Sequence, residues 1–289
     1  GYQAGVAVTT GIKNALIGGL AGDALNTGTR NVSLGYGSLS SDTKGSRSVA
    51  IGTDALFTQN FTSATDAYNT AVGHFAGGSV TTGVKNTIIG GLAGDAITTA
   101  DENTLVGYVA GSSLTTGEDN VLIGSLTGDA LTEGKDNVAV GRNSLSADTK
   151  GRQSVAIGSS ALSAQNFTTL TDTYNTAVGS SAGTAVTTGT ENTLIGALAG
   201  DAMTTGSYNT AVGKDSSGKV TTGSHNVSVG RMALRETTTG SNNTALGRSA
   251  LESNTTASNN TAVGYQAGNS NTTSSNNVAI GESALTSTT

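Results

Sequence analysis

The sequence predicts an all-β fold, a β-solenoid of stacked 17-residue coils, assembled as a homotrimer. Three observations predict it: a glycine recurs at a fixed period, the residues before it form a short apolar strand, and the composition does not suit an ordinary globular core. Of 289 residues, 42 are Gly, none is Pro, Trp or Cys, and aromatics make up 4%. Cores of globular domains draw much of their buried area from aromatic side chains. A Thr-, Ser-, Asn- and Gly-rich chain without a period would be disordered; a strict period is instead the mark of a repeat architecture.

The period is carried by Gly18, Gly35, Gly52, Gly73, Gly90, Gly107, Gly124, Gly141, Gly158, Gly179, Gly196, Gly213, Gly230, Gly247, Gly264 and Gly281. Every interval is 17 residues except two of 21, Gly52 to Gly73 and Gly158 to Gly179. Counting each unit from the residue four before its glycine, position 1 is Asn in fourteen of sixteen copies, with Ser48 and Ser154 the exceptions. Position 2 is Val, Thr or once Ala, position 4 is always Val, Ile or Leu, and position 8 is always small. Positions 13 to 15 usually read Thr-Thr-Gly or a close variant. Each unit therefore holds a β-branched stretch suited to a strand, a glycine corner and a polar turn. The whole chain, residues 1–289, reads as one array of about seventeen coils, counting a partial first coil. Stacked at about 4.8 Å per coil, they would extend for roughly 80 Å. The chain begins inside a repeat and without Met, as a fragment or processed product would.

Two further patterns concern the core. Positions 9 and 12 trade bulk: Gly22, Gly77, Gly94, Gly111 and Gly200 go with Leu25, Val80, Ile97, Leu114 and Met203, whereas Leu39, Leu145, Leu234 and Leu251 go with Asp42, Asp148, Thr237 and Asn254. Only the coil with Gly268 and Asn271 lacks both. One pocket per coil, filled from either side, explains this, since overpacking or a void would each cost on the order of 1–3 kcal/mol. Position 3 is also apolar or small, at Leu16, Ala50, Ala71, Ile88, Leu105, Leu122 and Leu194. A strand apolar on both faces is buried on both. The expectation is that positions 2 and 4 fill the coil while position 3 faces a threefold axis shared with two more copies.

The segment Asn31 to Gly73 recurs 106 residues later as Asn137 to Gly179, so a six-coil cassette is duplicated. Both copies carry a four-residue insert, within residues 53–72 and 159–178, that must bulge from the stack. Phe57, Asn60, Phe61, Asp66 and Tyr68 in the first, and Asn166, Phe167, Asp172 and Tyr174 in the second, are candidates for contact with a receptor or glycan. The plainer readings are a tolerated surface loop or a corner packed on a neighbouring chain.

Little points to catalysis. His74 and His225 are the only histidines and stand at unrelated repeat positions. No His, Cys and carboxylate cluster has metal-ligand spacing, the glycines match no phosphate loop, and no set of residues meets the requirements of an active site. No enzyme activity, cofactor or metal is expected. Asp23, Asp95, Asp129 and Asp201 recur at position 10 and read as solvated or turn-capping residues. The net charge is −6 with the few charges scattered along the chain, so no nucleic-acid partner is expected. No apolar run reaches the 18 or so residues of a membrane span. Paired threonines such as Thr81-Thr82 point to opposite faces, so the Thr-x-Thr ladder of an ice-binding surface is missing there.

The unit Asn260-Thr-Ala-Val-Gly-Tyr-Gln-Ala-Gly-Asn-Ser-Asn-Thr-Thr-Ser-Ser-Asn276 resembles repeats of phage and virus tail-fibre proteins, and Ser154-Val-Ala-Ile-Gly158 is similar to the head repeats of trimeric autotransporter adhesins. The adhesin resemblance implies a left-handed β-roll with three chains about one axis, although its unit is shorter. Together they imply an extracellular structural and adhesive segment, in a virion tail fibre or at a cell surface, that attaches to a host receptor or glycan. The alternatives are a bacterial adhesin head, a filament subunit assembling end to end, and a monomeric ice- or glycan-binding solenoid.

Overall fold

The computed structural model describes residues 1–286 and has two compact units, Gly1–Val138 and Ala139–Thr289. Each is a parallel β-solenoid of roughly 17-residue coils, about sixteen turns in all, and no helix occurs among the described residues.

In the first unit the strands Ala15–Ile17, Val32–Leu34, Val49–Ile51, Thr70–Val72, Thr87–Ile89, Thr104–Val106 and Val121–Ile123 pair in that order, all parallel. In the second, Val155–Ile157, Thr176–Val178, Thr193–Ile195, Thr210–Val212, Val227–Val229, Thr244–Leu246, Thr261–Val263 and Val278–Ile280 do the same. Register is position on position, and the inserts do not disturb it: Val49 pairs with Thr70 and Val155 with Thr176. The extra residues leave as a loop after Asn60 and Asn166, which stay stacked at position 13, and rejoin the stack at Thr65 and Thr171.

Position 3 points into the coil, which reverses the expected assignment of the strand faces. Ala50, Ile88, Leu105, Leu122, Leu194 and Ala211 are fully buried within a single chain. Positions 2 and 4 face outward, with Ile89, Ile123, Ile195 and Val229 each exposed by 38–40%. The physical reason is coil width. Three strand residues flanked by tight corners leave room for one inward side chain, so the middle residue takes it. The ground on which position 3 was expected to line a threefold axis is therefore removed; the face a second chain could cover is that of positions 2 and 4.

The paired positions 9 and 12 are both interior, which refines the single-pocket expectation. Where position 9 is glycine, the position 12 side chain fills the space: a Cβ on Gly94 would stand 2.9 Å from Ile97 Cδ1 and 2.7 Å from Leu105 Cδ1. Where position 9 is Leu, the described residues at position 12 are buried but polar, and Asp42, Asp148 and Asn254 satisfy the adjoining turn. Asp42 Oδ1 accepts from Gly45 N at 2.9 Å, and Asn254 Nδ2 donates to Ala257 O at 3.1 Å.

The glycines at position 5 all adopt φ between +117° and +143°. Three more corners per coil are left-handed, at positions 7, 9 and 17, and non-glycine residues occupy many of them, such as Leu20 (φ 56°), Leu39 (φ 50°) and Arg30 (φ 61°). Such residues cost local free energy; parallel pairing above and below holds them in place.

A column of asparagines runs inside each unit. Asn103 N donates to Asn86 Oδ1 at 3.0 Å, and Asn103 Nδ2 donates to Gly117 O at 3.0 Å. The same pattern repeats at Asn192, Asn209, Asn226 and Asn243. Each side chain ties its own coil shut and accepts from the backbone of the next. The position 13 threonines add a second column: Thr81 Oγ1 donates to Thr98 O at 3.0 Å and Thr204 Oγ1 to Thr221 O at 3.1 Å, while their neighbours Thr82 and Thr205 are exposed.

Candidate functional site

The insert coils are where the chain departs from its own rule, so they are the first place to look for function. Both occur where position 1 is Ser rather than Asn, at Ser48 and Ser154. The missing amide is supplied from position 12 of the same coil. Gln59 Nε2 donates to Ser48 Oγ at 3.1 Å and to Asp42 Oδ2 at 2.7 Å, and Gln59 Oε1 accepts from Asn69 Nδ2 at 2.8 Å. In the second unit, Gln165 donates to Ser154 Oγ (2.8 Å) and Asp148 Oδ2 (2.6 Å) and accepts from Asn175 Nδ2 (2.9 Å). Glutamine thus bridges a break in the asparagine column.

Asp42 and Asp148 are fully buried. Each receives two backbone amides besides the glutamine: Gly45 and Phe61 for Asp42, Gly151 and Phe167 for Asp148. The carboxylate organises the start of the insert, holding Phe61 and Phe167 against the coil at 5% and 8% exposure. These two phenylalanines were candidates for receptor contact; they are core residues.

The other candidates stay at the surface, partly tied down. Short strands Gly45–Ser46 with Thr65–Asp66, and Gly151–Arg152 with Thr171–Asp172, seat each insert on the preceding coil. Arg47 Nε lies 3.0 Å from Asp66 Oδ1 and Arg47 Nη1 donates to Tyr68 Oη at 2.7 Å. Arg152 Nη2 lies 2.9 Å from Asp172 Oδ1. Asn60 and Asn166 accept from Thr43 and Thr149 of the coil below at 3.1 and 3.2 Å. Phe57, Tyr68 and Tyr174 remain 39%, 49% and 56% exposed. Leu170, absent from the sequence candidates, is 51% exposed at the tip of the second insert.

The position 10 aspartates are half-buried rather than solvated. Asp23, Asp95 and Asp129 each keep a buried Oδ1 without a hydrogen-bond partner. Burial pushes the carboxyls of Asp95, Asp129 and Asp201 above the ordinary 3.8, partly offset by each residue's own backbone amide. Burial also raises Asp148, against the pull of its Phe167, Gln165 and Gly151 hydrogen bonds. A raised carboxyl binds its proton more readily folded than unfolded, so its contribution to stability grows as pH falls. The gain begins at the raised native values and is complete below 3.8. Glu102 is shifted the other way by Lys85, but at an exposed site where such a pair counts for little, so the melting temperature should rise from pH 7 towards pH 4 (a range about the unperturbed aspartate value), the reverse of ordinary acid denaturation. A scanning-calorimetry series showing a steady fall over that range would refute it.

A shallow groove lined by Asp101, Glu102, Glu118 and Asp119 lies on the position 16 and 17 corner, but among the described residues no group of His, Cys, Asp or Glu is arranged to hold a metal ion. No helix among the described residues is long and apolar enough to cross a membrane.

Geometry and hydrogen bonding define the class: a parallel β-solenoid with an interior asparagine column. Compared with protein-family models, with curated proteins and with solved structures, the chain matches none.

Proposed function

We propose that this chain is a structural and adhesive segment of an extracellular fibre, carried on a virion tail fibre or a cell surface, that attaches to a host receptor or glycan. The observation that carries the reading is the outward row at position 4. Every coil places Val, Ile or Leu there, on the surface, where a soluble stack has no use for it. Sister copies of the chain are its natural cover, and a threefold bundle packed through the faces of positions 2 and 4 fits both this row and the resemblance to fibre and adhesin-head repeats. Stiffness would come from the backbone and asparagine columns, and contact with the target from outward groups.

Sedimentation equilibrium tests the assembly. The chain should run at three times its 28.3 kDa mass, and Ile89→Lys with Ile123→Lys should run as a monomer. A monomeric native chain overturns the bundle, and failure of the intact protein to bind any cell surface or glycan array overturns the adhesive reading. A second reading, a monomeric solenoid binding ice or an ordered glycan surface, draws on the outward Thr176, Thr193, Thr210, Thr244 and Thr261 at position 2. A monomeric mass together with thermal hysteresis would select it.

A further inference from the structure

Stacking converts sequence distance into position. Residues at the same place in successive coils stand one above another, about 4.8 Å apart. Charges that look scattered along the sequence therefore form rows. In the unit Gly1–Val138, Lys13, Arg30 and Arg47 occupy position 17 of successive coils and Tyr68 follows. In the unit Ala139–Thr289, Lys214, Arg231 and Arg248 occupy position 6 of successive coils and Tyr265 follows. In both rows the last arginine lies over the tyrosine, 5.3 Å from the Tyr68 ring centre and 5.6 Å from that of Tyr265.

The order Lys, Arg, Arg, Tyr thus occurs twice, on different corners of the coil. The cassette duplication did not copy it, because the 106-residue offset takes Lys13 to Asp119 and brings Lys214 back to Tyr108. Nor does the fold ask for it. Position 6 is elsewhere Gly91, Thr53, Ser125 or Ala197, and position 17 also holds Asn242, Asn259 and Asn276. Like charges stacked at this spacing repel. Several other cations are offset by a carboxylate one coil on, as in Lys85 with Glu102, Lys219 with Glu236 and Arg235 with Glu252. Among the described residues, Lys13, Arg30 and Arg231 have no such partner and Lys214 has only Asp215 at 3.7 Å, while Arg47, at the end of its row, is paired with Asp66 at 3.0 Å. Two rows of weakly compensated cations on a chain of net charge −6 have a cost that binding would offset.

We propose that these rows bind a linear anionic polysaccharide, its carboxylates or sulfates ranged along the cations and a sugar ring against the exposed tyrosine. A line of cations fits a linear polyanion better than a single small anion, and the guanidinium fork pairs well with planar or tetrahedral oxyanions. Tyr68 and Tyr265, 49% and 41% exposed, offer an apolar ring with a polar tip. One aromatic per row is too few for the successive base stacking that single-stranded nucleic acid uses. The inference rests on the adhesive reading and narrows its ligand.

The probes are dextran sulfate, polygalacturonate, neutral dextran, inorganic polyphosphate and oligothymidine, titrated by calorimetry at low and high salt. Lys214→Ser, Arg231→Ser and Arg248→Ser together erase one row with a residue that position 6 already accepts at Ser125, Ser159 and Ser180. Lys13→Asn with Arg30→Asn weakens the other with the residue found at Asn242. One or both anionic glycans should bind in a salt-sensitive way, neutral dextran should not, and loss of the position 6 row should weaken binding about tenfold. Weakening both rows should leave no measurable binding. Tyr265→Ser should weaken the glycans and leave polyphosphate unchanged. Binding of only one glycan identifies sulfate or carboxylate as the group read. The proposal is overturned if neither anionic glycan binds, if the row variants bind unchanged, or if oligothymidine binds more tightly than both. Binding of the intact protein to neutral glycans on an array, with no polyanion binding, would sink this inference and leave the adhesive reading standing.

Discussion

Replacing Gly107 by Ala should cost roughly 3–5 kcal/mol of stability, among the largest effects of any single methyl group in this chain. The carbonyl of the next coil already occupies the place of a side chain. A Cβ on Gly107 would stand 2.2 Å from Gly124 O and 2.5 Å from Gly124 C. Those are backbone atoms, so no rotamer change relieves the clash, and the φ of +142° is a conformation that only glycine adopts without strain. The coils must separate or the corner must change hand, and either breaks the bond from Gly107 N to Ile89 O at 2.7 Å. Gly91→Ala is the control. Its Cβ would find only Tyr108 Cδ2 at 3.9 Å, and its melting temperature should match the native chain's. Chemical denaturation of both variants, read by circular dichroism, checks the pair. A Gly107→Ala chain as stable as Gly91→Ala would show that the coil spacing can relax.

That contrast also marks how far the sequence can be read. The position 5 glycines were legible because only one residue type tolerates that corner, and repetition exposed it. The corners at positions 7, 9 and 17 were not legible, since Leu39 and Arg30 in a left-handed conformation look like ordinary Leu and Arg. The period gave the coil, and Val, Ile or Leu at position 4 gave the strand, but alternation alone does not say which face is inside. Position 3 was assigned to the wrong side because Leu16 and Ile88 looked too apolar for a surface, although Ile89 beside the latter is the one that stays outside. At the insert coils the exceptions Ser48 and Ser154 were visible. Their compensation by Gln59 and Gln165 was not, because it joins residues eleven apart through a coil whose width the sequence does not state. The cation rows were hidden for the same reason: Lys214, Arg231 and Arg248 look isolated until the chain is folded at its period.

The asparagine column leads to the second large effect. Asn103→Ala should destabilise the chain by roughly 3–5 kcal/mol, because several buried groups lose a partner at once and each costs about 1–3 kcal/mol. Gly117 O loses the Nδ2 donor at 3.0 Å, Asn120 N loses its acceptor at 3.0 Å, and Asn120 Nδ2 loses one at 3.1 Å. Water cannot replace them, since Asn86 and Asn120 are fully buried and Asn103 is only 1% exposed. The chain's own exceptions give the comparison. At Ser48 the amide is absent and the coil survives, but only with Gln59 reaching across to Asp42, Ser48 and Asn69. Gln59→Ala should then cost nearly as much as Asn103→Ala, although position 12 elsewhere carries residues as different as Leu25 and Thr237. Equilibrium unfolding of both variants decides the matter. Equal, large losses mean that a buried amide at this level of every coil is a requirement of the fold; a mild effect of Gln59→Ala would mean that the insert, through Phe61 and the strand Thr65–Asp66, holds its coil without the column.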